Sequence, residues 1–210
     1  YPCEHTTEQY VPEVGLNLPI TDPTVVSVST ALEVWSTPEE MATKRYCETC
    51  DLTVDFTHQQ QICRGPGVLM IRLLRWCTNH SDDSTRKLHK PIEITEVQHV
   101  ECLGDKKSYS LYGVICHHGE YGNGHYVAYV KTEQGCWYKF DDNKVTRLDT
   151  NDWLKSVSKT AYVLFYAPTI VGTAGDSVTV SIDATPSGFQ LVGATAKPTP
   201  LQPSQLEMEL

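Results

Sequence analysis

Two residue types at a particular spacing carry the chemistry of this 210-residue chain: His125, and Asp141 with its neighbour Asp142. All three fall in one stretch, residues 124–145, GHYVAYVKTEQGCWYKFDDNKV. A carboxylate that holds one nitrogen of an imidazole fixes the tautomer and steadies the imidazolium. The other nitrogen is then left to take a proton from a serine or cysteine. On spacing alone the pair has two readings, two-thirds of a nucleophilic triad or a structural pair at a hairpin end, and spacing favours the second.

The stretch supplies the elements that bring the pair together. Residues 125–130 alternate around aromatic and β-branched side chains, the pattern of a half-buried strand. Lys131, Thr132, Glu133, Gln134 and Gly135 read as a hairpin loop, and residues 136–140 run back. Centred on Glu133, the hairpin sets Val130 opposite Cys136, Ala128 opposite Tyr138 and His125 opposite Asp141. Facing residues hold their Cβ atoms about 5 Å apart on one side of the sheet. Asp142 is then expected on the opposite side, because side chains alternate along a strand.

Other elements follow in chain order. Residues 16–20 are strand-like. Asp22 and Pro23 read as a helix start, followed by Val25, Val28, Leu32 and Trp35 on one apolar face. Thr37-Pro38-Glu39-Glu40 reads as a second helix start. The run VLMIRLLRW at 68–76 reads as a central strand whose Arg72 and Arg75 border the sheet face, and NHSDDSTRK at 79–87 as a polar loop. YSLYGVIC at 109–116 is a further strand, ended by His117, His118 and Gly119. Cys116 and Cys136 read as inert strand residues, and residues 152–156 as a short helix. From 168 to 210 the chain is rich in Ser, Thr, Pro and Gly and reads as a mostly disordered tail, though SVTVSI at 177–182 alternates like a strand.

The formal charge of −9 argues against nucleic acid or an anionic membrane as partner. No apolar run of about 18 residues suggests a membrane span. The chain begins with Tyr1 rather than Met, which suggests a fragment or a processed product. Eight cysteines without a recognisable secretory leader suggest a reducing compartment, cytoplasm or nucleus, and a metal site around Cys47-Glu48-Thr49-Cys50.

Three words, GHYVAYV, WYKFDD and AYVLFY at 161–166, closely resemble the histidine box of the ubiquitin-specific proteases. These are papain-like cysteine proteases that cleave after the last glycine of ubiquitin. The resemblance covers about residues 1–167. It implies an α+β fold, the mainly antiparallel palm-and-fingers half of the protease domain with the thumb absent. The fingers would span about 1–60 and the palm about 61–167. His125 is implied as the base, Asp141 as the residue that orients it, and Asp142 as a supporting carboxylate. Glu120, Tyr121, Gly122, Asn123 and Gly124, with His118 beside them, are implied to border the ubiquitin tail, and residues 79–87 to gate its channel. Tyr162 matches a position that packs under the catalytic His.

The family also carries a zinc ribbon on its fingers. Tyr46-Cys47-Glu48-Thr49-Cys50 matches one ligand pair, but only Cys3 occupies the place of the other, with His5 as a substitute ligand. Ubiquitin and ubiquitinated proteins are the implied partners. The box that carries the family's catalytic cysteine, resembling GLxNLGNTCYxN, does not occur in these 210 residues. The chain therefore reads as part of a deubiquitinase that is inactive alone. A catalytically dead ubiquitin-binding module is the alternative, and a secreted disulfide-built domain is the least favoured reading.

Overall fold

The computed structural model describes residues 3–78, 84–150, 152–169 and 189–194. Strands β1 (Glu8–Glu13) and β2 (Leu16–Pro19) lead to helix α1 (Val28–Ser36). The helix starts a turn and a half later than Asp22. Residues 26–28 are held extended by Glu93, which donates to the Val26 carbonyl at 2.9 Å and accepts from Val28 N–H at 3.0 Å. Ser27 is therefore the N-cap, and its Oγ accepts from the Thr30 N–H at 3.1 Å while Thr30 Oγ1 accepts from the Ser27 N–H at 2.9 Å. Asp22 instead folds a local turn, accepting from Thr24 N–H at 2.8 Å.

The second helix is not formed. Residues 39–40 make strand β3 (Glu39–Glu40), which pairs with Thr57 and His58, and Met41 N–H bonds the Phe56 carbonyl at 3.0 Å. Pro38 holds the preceding Thr37 extended, which disfavours helix at this point. Strands β4 (Arg45–Cys47) and β5 (Leu52–Val54) form a small hairpin; β6 (Thr57–His58) and β7 (Gln60–Ile62) follow.

The apolar run at 68–76 becomes β8 (Leu69–Leu74) and, after a break at Arg75, β9 (Trp76–Thr78). Strand β10 (Thr85–Lys87) pairs with β9, so the polar loop read at 79–87 is strand at its end. Then come β11 (Val97–Cys102), β12 (Asp105–Glu120), β13 (Asn123–Lys131), β14 (Trp137–Asp141), β15 (Lys144–Leu148), α2 (Trp153–Ser156), β16 (Ala161–Pro168) and β17 (Phe189–Ala194). The last of these lies inside the stretch read as a disordered tail, and it pairs with β1 and β7. The strand read at 177–182 lies outside the described residues.

The architecture is α+β and mainly antiparallel. Among the described residues the main sheet has 11 strands in the order β1-β17-β7-β11-β12-β13-β14-β15, with β16 bridging β12 to β8 and β2 parallel to β8. The 16-residue β12 is its axis, pairing with β11 over residues 105–110, with β16 over 109–116 and with β13 over 113–120. Leu69, Ile71 and Leu73 alternate inward from β8 and meet Leu16, Leu18 and Ile20 in one core with Leu111, Val114, Leu164 and Tyr166. Helix α2 presents Trp153, which stacks on Tyr129 at 4.5 Å and meets Trp137 edge-on at 4.7 Å. Those aromatic contacts hold the β13–β14 hairpin against the core.

Arg75 does not border the sheet face. It is fully buried, and its guanidinium donates to the carbonyls of Ala161 at 2.6 Å, Lys90 at 2.8 Å, Ser158 at 2.7 Å and Leu88 at 3.1 Å. Burial lowers its pKa to about 10. Arg72 is exposed.

A histidine and aspartate pair on a β-hairpin

The β13–β14 loop closes through Thr132 N–H to the Cys136 carbonyl at 2.8 Å and Gly135 N–H to the Thr132 carbonyl at 2.9 Å. Gly135 sits at φ +81, where only glycine is unstrained. The register is Lys131 with Trp137, Val130 with Tyr138 and Ala128 with Phe140. The hairpin is thus centred on Gln134, and each expected facing pair is displaced by two residues. Cys136 lies in the loop rather than on a strand, partly exposed, with its sulfur 3.5 Å from Arg147 Nη2.

A displacement of two preserves the face of every side chain. His125 and Asp141 therefore still share a side, and His125 Nε2 donates to Asp141 Oδ1 at 2.6 Å. Lys139, two residues before Asp141 on the same face, donates to its other oxygen at 2.8 Å. Lys139 first, and His125 second, lower the Asp141 pKa to about 2. With Nε2 engaged, Nδ1 is the nitrogen of His125 left to accept a proton, and the side chain is 45% exposed.

Asp142 does not point away. It occupies the two-residue turn between β14 and β15 at φ +52, where strand alternation has ended. One ligand atom from each of His125, Asp141 and Asp142 lies within 4.8 Å of the other two.

His118 is paired directly with His125 across β12 and β13. Partial desolvation first, then the charge of Lys87, lowers its pKa. Residues 120–124, EYGNG, read from their glycines as a loop before His125, form a shorter turn. β12 continues to Glu120, which pairs with Asn123, leaving Tyr121 and Gly122 as a tight turn with Gly122 at φ +79. Glu120 accepts from His89 Nε2 at 2.9 Å, and Tyr121 meets Trp76 edge-on at 5.7 Å. Gly124 admits no side chain, because a Cβ there would lie 2.1 Å from His117 Nε2. Tyr162 is half-buried on β16, with β12 lying between its strand and that of His125. Cys116 is buried, and burial pushes its thiol up to about 11. Lys87, His117 and Arg75 were missed as buried polar groups, because their partners lie 13 to 86 residues away.

At the finger, Cys3, His5, Cys47 and Cys50 bring four ligand atoms within 4.8 Å of one another. His5 Nδ1 lies 3.5 Å from Cys3 Sγ, 3.7 Å from Cys47 Sγ and 3.2 Å from Cys50 Sγ. A tetrahedral zinc with thiolate and imidazole ligands sets those atoms about 3.5–3.8 Å apart. The donor set and spacing fit that ion. The Cys50 backbone N–H beside Cys47 holds that thiol at about 7, while Cys3 first of all raises Cys50 to about 11.

The sequence model of the family described as ubiquitin carboxyl-terminal hydrolase matches residues 10–166. The chain belongs to this family. It is 30% identical over 171 residues to ubiquitin carboxyl-terminal hydrolase 20 of Arabidopsis thaliana, covering 79% of this chain and 24% of that protein. It is 32% identical over 168 residues to ubiquitin carboxyl-terminal hydrolase 17-like protein C of Mus musculus, covering 78% and 30%. The chain thus spans about a quarter to a third of these relatives. Among solved structures it resembles a SAGA DUB module containing Ubp8 bound to monoubiquitin, with TM-score 0.66 and 28% identity over 75% of this chain and 36% of that one. A yeast SAGA DUB module gives TM-score 0.68 at 25% identity, over 80% and 41%. Among the described residues of this ubiquitin carboxyl-terminal hydrolase segment, no helix is long and apolar enough to cross a membrane.

Proposed function

We propose that this chain is the base-bearing part of a thiol-dependent deubiquitinase that hydrolyses the (iso)peptide bond after the C-terminal glycine of ubiquitin. The observation that carries the reading is the 2.6 Å bond between His125 Nε2 and Asp141, which leaves Nδ1 for proton transfer. A cysteine from outside these 210 residues supplies the nucleophile. His125 takes its proton, and the thiolate sulfur attacks the glycine carbonyl. His125 then gives the proton to the departing amine, leaving a thioester. It next deprotonates a water that attacks that thioester, and the released thiol regains its proton. Asp141 holds the ring throughout, and Asp142 is its second carboxylate. The hairpin from Glu120 to Gly124, with His118 beside it and Tyr162 further from it, is read as the edge of the channel for the ubiquitin tail. At Gly122 nothing lies within 4 Å of where a Cβ would stand, so backbone can approach a diglycine closely there.

Cys3, His5, Cys47 and Cys50 would hold a structural zinc, which cross-links the finger and takes no part in the proton transfers. Residues 1–60 are read as fingers and 61–167 as palm, and an intracellular setting suits the zinc thiolates. The absence of the cysteine box from these residues keeps one alternative, a ubiquitin-binding module without catalysis. A ubiquitin C-terminal amide reporter separates the two. The chain alone should give no hydrolysis, and the full-length protein should give turnover that thiol alkylation abolishes. Ubiquitin binding by the full-length protein without turnover would favour the alternative.

A further inference from the structure

Lys87 is only 5% exposed, yet its ammonium meets no carboxylate among the described residues. It donates to His117 Nδ1 at 3.0 Å, to the Gly119 carbonyl at 3.1 Å and to the His117 carbonyl. Three acceptors use all three of its N–H bonds. Burial first, and then the charge of Arg75, lower its pKa. The Glu120 charge offsets part of that cost only from a distance, and a cation desolvated against neutral acceptors is costly unless those bonds hold something in place.

What they hold is the backbone next to His125. Because Nδ1 of His117 accepts from the ammonium, its ring proton sits on Nε2, the atom nearest to where a Gly124 Cβ would stand. The ring is wedged between Trp76 at 5.1 Å and Tyr126 at 4.7 Å. It touches Gly124 so closely that an added Cβ would meet its Nε2 at 2.1 Å and Cε1 at 2.5 Å. Gly124 and Tyr126 flank His125. At the other arm of the turn, Gly119 sits at φ +101, and a Cβ there would meet the Asn123 carbonyl at 2.6 Å. Lys87 thus binds the start of the turn through two carbonyls and its end through the His117 ring.

We infer that Lys87 is a positioning residue: by fixing His117 and the backbone of the turn at 117–124, it sets where the His125 imidazole stands. A methylene chain of the same length cannot replace it, since no apolar group satisfies two carbonyls and a ring nitrogen at once.

Only the kinetic arm of the test rests on the function proposed above. In the 210-residue chain, Lys87→Met should speed amide exchange at residues 117–125 by about tenfold or more, leaving β8 and β16 at wild-type protection. Lys87→Gln, which keeps two N–H donors, should give a smaller rise. Arg86→Met, an exposed neighbour on the same strand, should give none. The His125 ring resonances should shift in both Lys87 variants. In the full-length protein, Lys87→Met should lower kcat about tenfold or more while KM for a ubiquitin reporter stays within about twofold. Unchanged exchange at 117–125, or a uniform rise over all strands, would overturn the inference. So would unaltered kcat in a protein whose wild type turns over. A wild type with no turnover would instead overturn the proposed function and leave the exchange result to decide the role of Lys87.

Discussion

His125 Nε2 bonds Asp141 Oδ1 at 2.6 Å although the two residues are not directly opposite in their hairpin. The ladder between β13 and β14 ends at Ala128 with Phe140, and His125 lies three residues beyond it. The bond is therefore a diagonal reach across the end of the sheet, within the range of a long side chain. Asp141 is held from two sides, by His125 on one oxygen and Lys139 on the other.

That arrangement sets the expected loss for each variant. In a full-length protein that turns over, His125→Ala should lower kcat by about 10³-fold or more, since it removes the group proposed to carry the proton. Asp141→Ala should cost less, about tenfold to a hundredfold, because the Asp142 carboxylate is within 4.8 Å of His125. Asp141→Ala combined with Asp142→Ala should fall well below either single variant. Steady-state kinetics on a ubiquitin C-terminal reporter checks all three, and a double variant no worse than Asp141→Ala would remove Asp142 from the site.

The depressed Asp141 carboxyl gives a pH signature. Its folded pKa of about 2 lies below the ordinary value of about 3.9. The stability it contributes is therefore complete above about pH 3.9 and is lost as pH falls through about 2. Lys139→Met should move the Asp141 titration upward, because Lys139 is the larger cause. Carboxyl ¹³C chemical shifts followed against pH read this directly; an unmoved midpoint would assign the shift to His125.

The finger cluster should take up one zinc ion per chain. His5→Ala should reduce that stoichiometry or weaken it about tenfold or more, and His5→Cys should retain it. Metal content after dialysis and the charge-transfer bands of a cobalt-substituted sample measure both. Equal zinc uptake by wild type and His5→Ala would show that His5 is not a ligand.

Arg75→Met should destabilise the fold by about 3 kcal/mol or more, because four carbonyls in a buried region lose their charged donor at once. Arg72→Met, at an exposed position, should stay within about 0.5 kcal/mol. Urea denaturation with a shared slope gives the comparison. Equal midpoints for the two variants would contradict the role given to Arg75.

The sequence by itself determined which side chains share a face. The alternation in residues 125–130 and 136–140 put His125 and Asp141 on one side, and that result survived a register different from the one expected. A pleat repeats every two residues, so a displacement of two changes partners but not faces. Tertiary structure decided the rest, because it depends on where distant chain segments return. The hairpin register is the local exception, set by loop bonds between Thr132 and Cys136 that a pleat pattern does not report, whereas distant Glu93 delayed α1 by holding residues 26–28 extended. A left-handed turn residue brought Asp142 round to the site. His5 meets Cys47 and Cys50 across 42 and 45 residues, Lys87 meets His117 across 30, and Arg75 meets Ala161 across 86. Local periodicity reports only on neighbours in the chain, whereas these contacts arise from packing the whole sheet around β12.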